Sequence, residues 1–300
     1  MGAQSYIASP SVVAYAGRNN VDLDEVARKS GRTTLAREDV DMHLNAETTG
    51  SSGPPASSRY WDVDHAASGP VREEPVSRMA KVASANLSAA NSVIPQVTHH
   101  DRADLRRLEV LRASLKPEAT RRGVRLTALA FHVKALSICL KEFPRFNASL
   151  SADGDTLILK EYIHVGIAVD TPYGLMVPVI RDADRKGLWR IAEDITDLAG
   201  RAQSRKIRPE EMGGASMSIS NLGGIGGTAF TPIVNPPELA ILGITRTEMA
   251  PVWEDEEWIP VPMAPLDLSY DHRVINGADA ARFMARYARL LGDPRRMVLP

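Results

Sequence analysis

The residues best suited to chemistry stand near the C-terminus, in Ser269-Tyr270-Asp271-His272-Arg273-Val274-Ile275-Asn276-Gly277. This stretch sets one histidine in a polar cluster between a strand-like run, PLDLSY, and a helix-like run, GADAARFMARYARLL. Loops at strand ends present reactive side chains while the scaffold holds them in place. An imidazole there can take a proton from a thiol near neutral pH, which is the activation that thiolate attack on a thioester requires, although a lone histidine in a strand-to-helix turn is usually structural. Three other features carry less. His99 and His100 are adjacent, so on a strand they point to opposite faces and do not jointly ligate a metal; no metal site is expected. The glycine run from Leu222 to Thr228 lacks the Lys-Ser/Thr ending of a phosphate loop and reads as a tight loop. Cys139 is the single cysteine; it forms no intrachain disulfide, fits a reducing compartment, and sits in apolar LTALAFHVKALSICL as core.

The elements that must position these groups alternate between helix and strand, a mixed α/β class. Asp101 is placed to cap a helix carrying Leu105, Leu108, Leu111 and Leu115, and Thr127 opens a second that Pro144 stops after Phe143. Strand signals follow in TLILKEYIHVGIAVD and LMVPVI. Leu188 to Ala202 repeats apolar residues at helical spacing; ASMSISNL, ELAILGI and PLDLSY are strands. Residues 8–44 form a miniature unit with a short helix around Ser11–Arg18, a middle segment with Val21 and Leu23, and a second helix in AREDVDMHL. Residues 45–76, rich in Gly, Ser, Pro and Ala, read as a flexible linker in which Tyr60 and Trp61 are the exception. Residues 77–300 are the large globular part.

The 36 basic and 37 acidic residues leave a net charge of -1, which provides no electrostatic footprint for nucleic acid or an anionic membrane. No apolar run approaches the ~20 residues of a membrane span, and Met1–Gly17 has no basic region followed by a sustained apolar one. The expected compartment is the cytoplasm, or the mitochondrial matrix if a presequence has been removed.

Asp271-His272-Arg273-x-x-x-Gly277 followed by ADAARF resembles the active-site motif of the dihydrolipoamide acyltransferases of 2-oxo acid dehydrogenase complexes. The resemblance continues through SRMAKVASANL, IPQVTHHDRADL, FPRFNASL, YIHVGIAVDTPYGLMVPVIRD and SISNLGGIGGTAFTPIVNPPELAILG. It implies a chloramphenicol-acetyltransferase-like mixed-sheet fold, a homotrimer with active sites between subunits, and a larger core built from trimers. By position His272 matches the family's general base, and Ser220 the hydroxyl that donates to the tetrahedral oxyanion. Asn276 stands where aspartate is commonest and is read as an orienting residue. Coenzyme A is implied as a substrate, with Arg145 and Asn147 as candidate contacts.

Residues 8–44 resemble the family's peripheral subunit-binding domain, which implies docking of the pyruvate decarboxylase component or dihydrolipoyl dehydrogenase. The loop Arg28-Lys29-Ser30-Gly31-Arg32-Thr33-Thr34 is shorter than the family's and lacks two of its glycines. No lipoyl hairpin precedes residue 8, so the lipoyl group is expected on a separate or missing domain. GGIGGTAFTPIVN and DHRVINGADAARF look most like the pyruvate branch, hence acetyl transfer. The other readings are succinyl or branched-chain acyl transfer, and a non-catalytic scaffold or adaptor.

Overall fold

The computed structural model describes residues 6–19, 21–30, 34–41, 43 and 63–297. The chain divides into two compact units, residues 1–74 and 75–300. In the first, β1 (Ile7–Ala8) pairs in parallel with β2 (Thr34–Leu35). The Ser9 hydroxyl caps α1 (Pro10–Arg18), and Pro10 sits where no backbone donor is needed. Sequence reasoning leaves Leu23 in an undefined middle segment; the structure makes Leu23–Ser30 a helix, α2, with acids in its first turn and bases in its last. Val12, Ala16, Leu23, Val26, Ala27, Leu35 and Val40 form a small core. Of the expected linker, residues 45–62 with Tyr60 and Trp61 lie outside the described residues, while 63–76 are exposed.

The second unit runs α3 (Arg78–Val93), β3 (Gln96–Asp104), α4 (Arg106–Ser114), α5 (Lys116–Arg121) and α6 (Ala128–Glu142), then β4 (Ala148–Leu150) and β5 (Leu157–Leu159). There follow β6 (Val165–Ile167), β7 (Val179–Ile180), α7 (Leu188–Gln203), β8 (Met217–Asn221), β9 (Ala240–Ile244), β10 (Glu248–Glu254), β11 (Glu257–Asp271) and α8 (Gly277–Gly292). The seven-stranded sheet has the order β10-β11-β9-β8-β6-β7, with β3 also paired to β11. β6, β8 and β9 are parallel and the other pairings antiparallel, so the sheet is mixed, as the family resemblance implies. Among the described residues no helix is long and apolar enough to cross a membrane.

β11 is bonded on both edges over Leu266–Tyr270, to β3 and to β9. Side chains alternate across a strand, so Ala264, Leu266, Leu268 and Tyr270 share one face while Asp267, Ser269 and Asp271 share the other. The apolar face meets α6 and α8, where Phe131, Leu136, Leu140, Phe283, Met284, Leu290 and Leu291 are buried. Phe146 stacks on Phe283 at 4.2 Å between centroids and helps to lock α8 against the end of α6. The polar face is covered by other means. Residues 222–239 cross it without regular structure, and the end of α3 contributes Ala90 and Ile94, which pack on Val234 and Ile241.

One expectation fails here. Asp101 caps no helix: it lies within β3, opposite Leu266, and α4 starts only at Arg106. Nine consecutive pairings with β11 outweigh a local capping preference, since a cap contributes only about 1 kcal/mol.

Between α6 and α8, His132 Nδ1 and the Tyr287 hydroxyl share a 2.7 Å hydrogen bond in the core. Burial pushes His132 down from 6.5 to about 4. The folded chain therefore refuses a proton that the unfolded chain accepts below pH 6.5. His132 contributes its full stability above that pH and loses it as pH falls toward 4, by up to about 3 kcal/mol. Denaturant titrations across this window should give a steeper acid loss for wild type than for His132→Gln; equal slopes would remove His132 from the account.

Candidate active site

β11 ends at Asp271, whose buried carboxylate organises the turn that follows. Arg273 donates to it from Nε (3.0 and 3.2 Å), from Nη2 (2.7 Å) and from its backbone N–H (3.0 Å). The Val274 and Ile275 amides donate to the Asp271 carbonyl, and Ile275 plugs the core. Asp271 N–H donates to Leu239 O and His272 N–H to Pro95 O, so the backbone is held from two sides. The His272 side chain is exposed, with its ring 5.7 Å from that of Tyr270. Among the described residues no group hydrogen-bonds this imidazole. Both nitrogens are thus open to an incoming molecule while the loop beneath them is rigid.

Asn276 is the N-cap of α8, and its Oδ1 accepts from the Asp279 amide at 2.9 Å. That uses its one side-chain acceptor and leaves the Nδ2 donors, on the same rigid turn as His272. Aspartate caps about as well as asparagine, so the departure from the commonest family residue leaves the helix start intact.

Ser220 lies near the end of β8, in register with Gly243 of β9, which in turn faces Asp267 of β11. The glycine run beyond it is the tight loop expected from sequence. Asn221 Oδ1 accepts from Gly223 N–H, and a Cβ at Gly223 would lie 3.3 Å from Thr245 O. Gly227 has φ 88°, in the left-handed region.

The structure does not bring Ser220 and His272 of one chain together. Ser220 shares the level of Asp267, five residues before His272. At ~3.3 Å per residue and ~4.8 Å per strand, the separation is about 19 Å, beyond the reach of one acyl carbonyl.

The two candidate coenzyme A contacts separate. Arg145 is exposed in the turn after α6. Asn147 is buried, and its Nδ2 donates to Lys160 O and Tyr162 O at 2.9 Å each, so it latches the β5–β6 connection. Packing of Phe146 beside it draws the residue inward. Sequence reasoning missed Glu238, which is buried, accepts from the Ser218 hydroxyl at 2.9 Å, and is pushed up to about 7 by desolvation. It lines, with Asp271 and Arg273, a cavity of about 490 Å³. Its signal was the charged residue that ends Pro236-Pro237-Glu238 directly before an apolar strand. Among the described residues no cluster of three His, Cys, Asp or Glu is arranged for a metal.

A family model for the catalytic domain of the 2-oxoacid dehydrogenase acyltransferases matches residues 68–299. The chain is 42% identical over 305 residues to the dihydrolipoyllysine-residue acetyltransferase component of the pyruvate dehydrogenase complex of Cupriavidus necator, covering 97% of this chain and 55% of that protein. The Pseudomonas aeruginosa counterpart is 44% identical over 302 residues, with the same two coverages. The chain thus spans 55% of the length of these two relatives.

Two solved structures align with TM-score 0.78 and 48% identity, covering 79% of this chain and 98% of theirs. One is the cubic core of the pyruvate dehydrogenase multienzyme complex. The other concerns the role of a serine, a histidine and an asparagine, successively 52 and 4 residues apart, in the catalytic mechanism of Azotobacter vinelandii dihydrolipoamide acetyltransferase. Ser220, His272 and Asn276 have the same spacings.

Because Asn276 also caps α8, its replacement has a structural arm. Asn276→Ala should lower unfolding free energy by about 1 kcal/mol and Asn276→Asp by a few tenths at most, as read from denaturant midpoints. Equal losses would mean that the cap is not what the residue contributes to stability.

Proposed function

The chain belongs to the 2-oxoacid dehydrogenase acyltransferase family, and we propose that it moves an acetyl group between dihydrolipoamide and coenzyme A. The observation that carries this reading is the His272 loop, where a solvent-open imidazole stands on a backbone fixed by Asp271, Arg273 and Pro95. His272 takes the proton of the coenzyme A thiol. The thiolate attacks the thioester carbonyl of the acetylated dihydrolipoamide, and charge develops on the carbonyl oxygen. The Ser220 hydroxyl donates to that oxyanion, a contribution of about 3–4 kcal/mol for a preorganised donor. Collapse of the intermediate expels the dihydrolipoamide sulfur, which recovers the proton from His272.

The separation of about 19 Å within one chain calls for a second copy. In this reading His272 of one subunit meets Ser220 of the next in a homotrimer, and trimers build the core of a pyruvate dehydrogenase-type complex. Asn276, oriented by its cap, offers its Nδ2 donors toward the bound substrates. The acetyl group arrives on a lipoyl carrier held by another domain. The small N-terminal unit docks the pyruvate decarboxylase component or dihydrolipoyl dehydrogenase, with Arg28 on the exposed side of α2; Arg32 lies outside the described residues. Acetyl is the preferred acyl group because the curated relatives are acetyltransferases.

Transfer from acetyl-CoA to free dihydrolipoamide tests the reading. His272→Ala should lower the rate about 10²–10⁴-fold and Ser220→Ala about 10²–10³-fold. A one-to-one co-assembly of the two variants should recover roughly a quarter of wild-type activity, the random share of sites with both groups intact in a cyclic oligomer. No recovery would place both groups in one chain's site; no turnover by an assembled wild type would leave a scaffold.

A further inference from the structure

Glu238 joins the two elements that carry the candidate catalytic groups. Its Oε1 accepts from the Ser218 hydroxyl at 2.9 Å, and Ser218 stands two residues before Ser220 on β8, so both side chains leave the same face of the sheet. A Cβ on Gly166 of β6 would overlap that hydroxyl, so only a residue without a side chain fits beside it. One residue further along the chain, the Leu239 carbonyl accepts from Asp271 N–H at 2.9 Å, at the head of the His272 turn. The segment is fixed on its other side as well: Ser149 Oγ donates to Pro237 O at 2.6 Å, and Glu238 N–H donates to Asn235 O at 3.0 Å.

The second carboxylate oxygen, Oε2, is buried and meets no hydrogen-bond donor among the described residues. Asp271 and Arg273 from the end of β11 and Asp153 from the β4–β5 turn line the same cavity as Glu238, while α3 lines it with the uncharged Asn86, Ala89 and Ala90. The cations nearby are committed elsewhere: Arg273 serves Asp271, and Lys160 Nζ donates to Ala215 O at 3.1 Å. An ionised carboxylate placed there lacks the second partner that a buried charge needs; a neutral carboxylic acid does not carry that cost. Burial is the largest influence on the Glu238 proton and pushes its pKa up to about 7, with the Ser218 hydrogen bond and the Lys160 charge pulling more weakly the other way.

We infer that Glu238 is a positioning residue that works in its protonated form, tying the His272 turn to the strand of Ser220, and that its ionisation loosens this tie. The inference rests on the acyl-transfer reading and deepens it by giving the reaction a control on the alkaline side. A neutral Glu238 leaves Asp271 and Arg273 to organise the turn undisturbed. An ionised one sets an uncompensated charge in the cavity it shares with the Asp271 carboxylate, which repels that group and draws water in. Turnover therefore carries a falling limb as pH rises past the point where Glu238 loses its proton.

The test measures kcat of the assembled full chain for transfer from acetyl-CoA to free dihydrolipoamide between about pH 6 and pH 9. Wild type should lose turnover as pH rises past about 7. Glu238→Gln stays neutral throughout and can still accept from Ser218, so it should match wild type near pH ~6 and exceed it at least about 5-fold near pH ~8.5. Ser218→Ala removes a bond that favours the ionised form and should move the falling limb to higher pH. A merely structural contact would lower kcat of both variants by one factor at every pH. A wild type without the falling limb, or a limb at the same pH in wild type and both variants, would overturn the inference; if Glu238→Gln does not assemble, the position of the limb in Ser218→Ala decides alone. Absence of transfer by wild type at every pH would instead overturn the acyl-transfer reading beneath it.

Discussion

Almost everything in the larger unit depends on the pairing of β11 with β3 and β9 at once. Bonding on both edges satisfies the strand's backbone without solvent, which permits eight consecutive residues, Ala264–Asp271, to be buried. Alternation then assigns Leu266, Leu268 and Tyr270 to the helical layer and Asp267, Ser269 and Asp271 to the opposite face. The first set supplies the core. The second set supplies the polar groups from which the candidate site is built.

A polar face that is covered instead of solvated needs a partner for each of its groups, and the chain provides them from distant segments. Ser269 meets Thr98 at 2.8 Å, Gln96 accepts from Val234 N–H at 2.7 Å, and Ser218 donates to Glu238 at 2.9 Å. Asp267 is hydrogen-bonded by His100, and Asp271 is paired with the Arg273 guanidinium. The bonds of Gln96 to Val234, Ser218 to Glu238 and Asp267 to Phe230 order the segment from Leu222 to Leu239 in place of regular secondary structure. They contribute less to net stability than the apolar core, because each bond replaces one to water. Their effect is on geometry: breaking one strands a buried charge or acceptor, so alternative placements of the loop are strongly disfavoured.

The same sheet separates the two groups to which the proposed acyl transfer is assigned. His272 projects beyond the end of β11, and Ser220 lies further back along the neighbouring strands. Rigid strands cannot bend to close that gap, so the proposed chemistry is coupled to assembly.

Some of this was legible in the residues alone. The mixed α/β pattern, the bounds of α6, α7 and α8, and the His272 turn followed from local periodicity, caps and the strand-to-helix change, all written within a few residues. Ser220 came only from resemblance, since one serine at a strand end looks like any other. Asp101 misled because a good capping residue is also tolerated in a strand, and long-range pairing decided between the two uses. Likewise Asn147 offered a polar side chain that the fold turned inward. The chain order by itself therefore determined most of the short helices and strands and the place of an imidazole in a strand-to-helix turn. Only the tertiary structure decided that Asp267 meets His100 across 167 residues, that Phe230 covers Gly243, and that His272 and Ser220 stand apart, because strand register is set by the sum of all pairings across the sheet and by no local stretch.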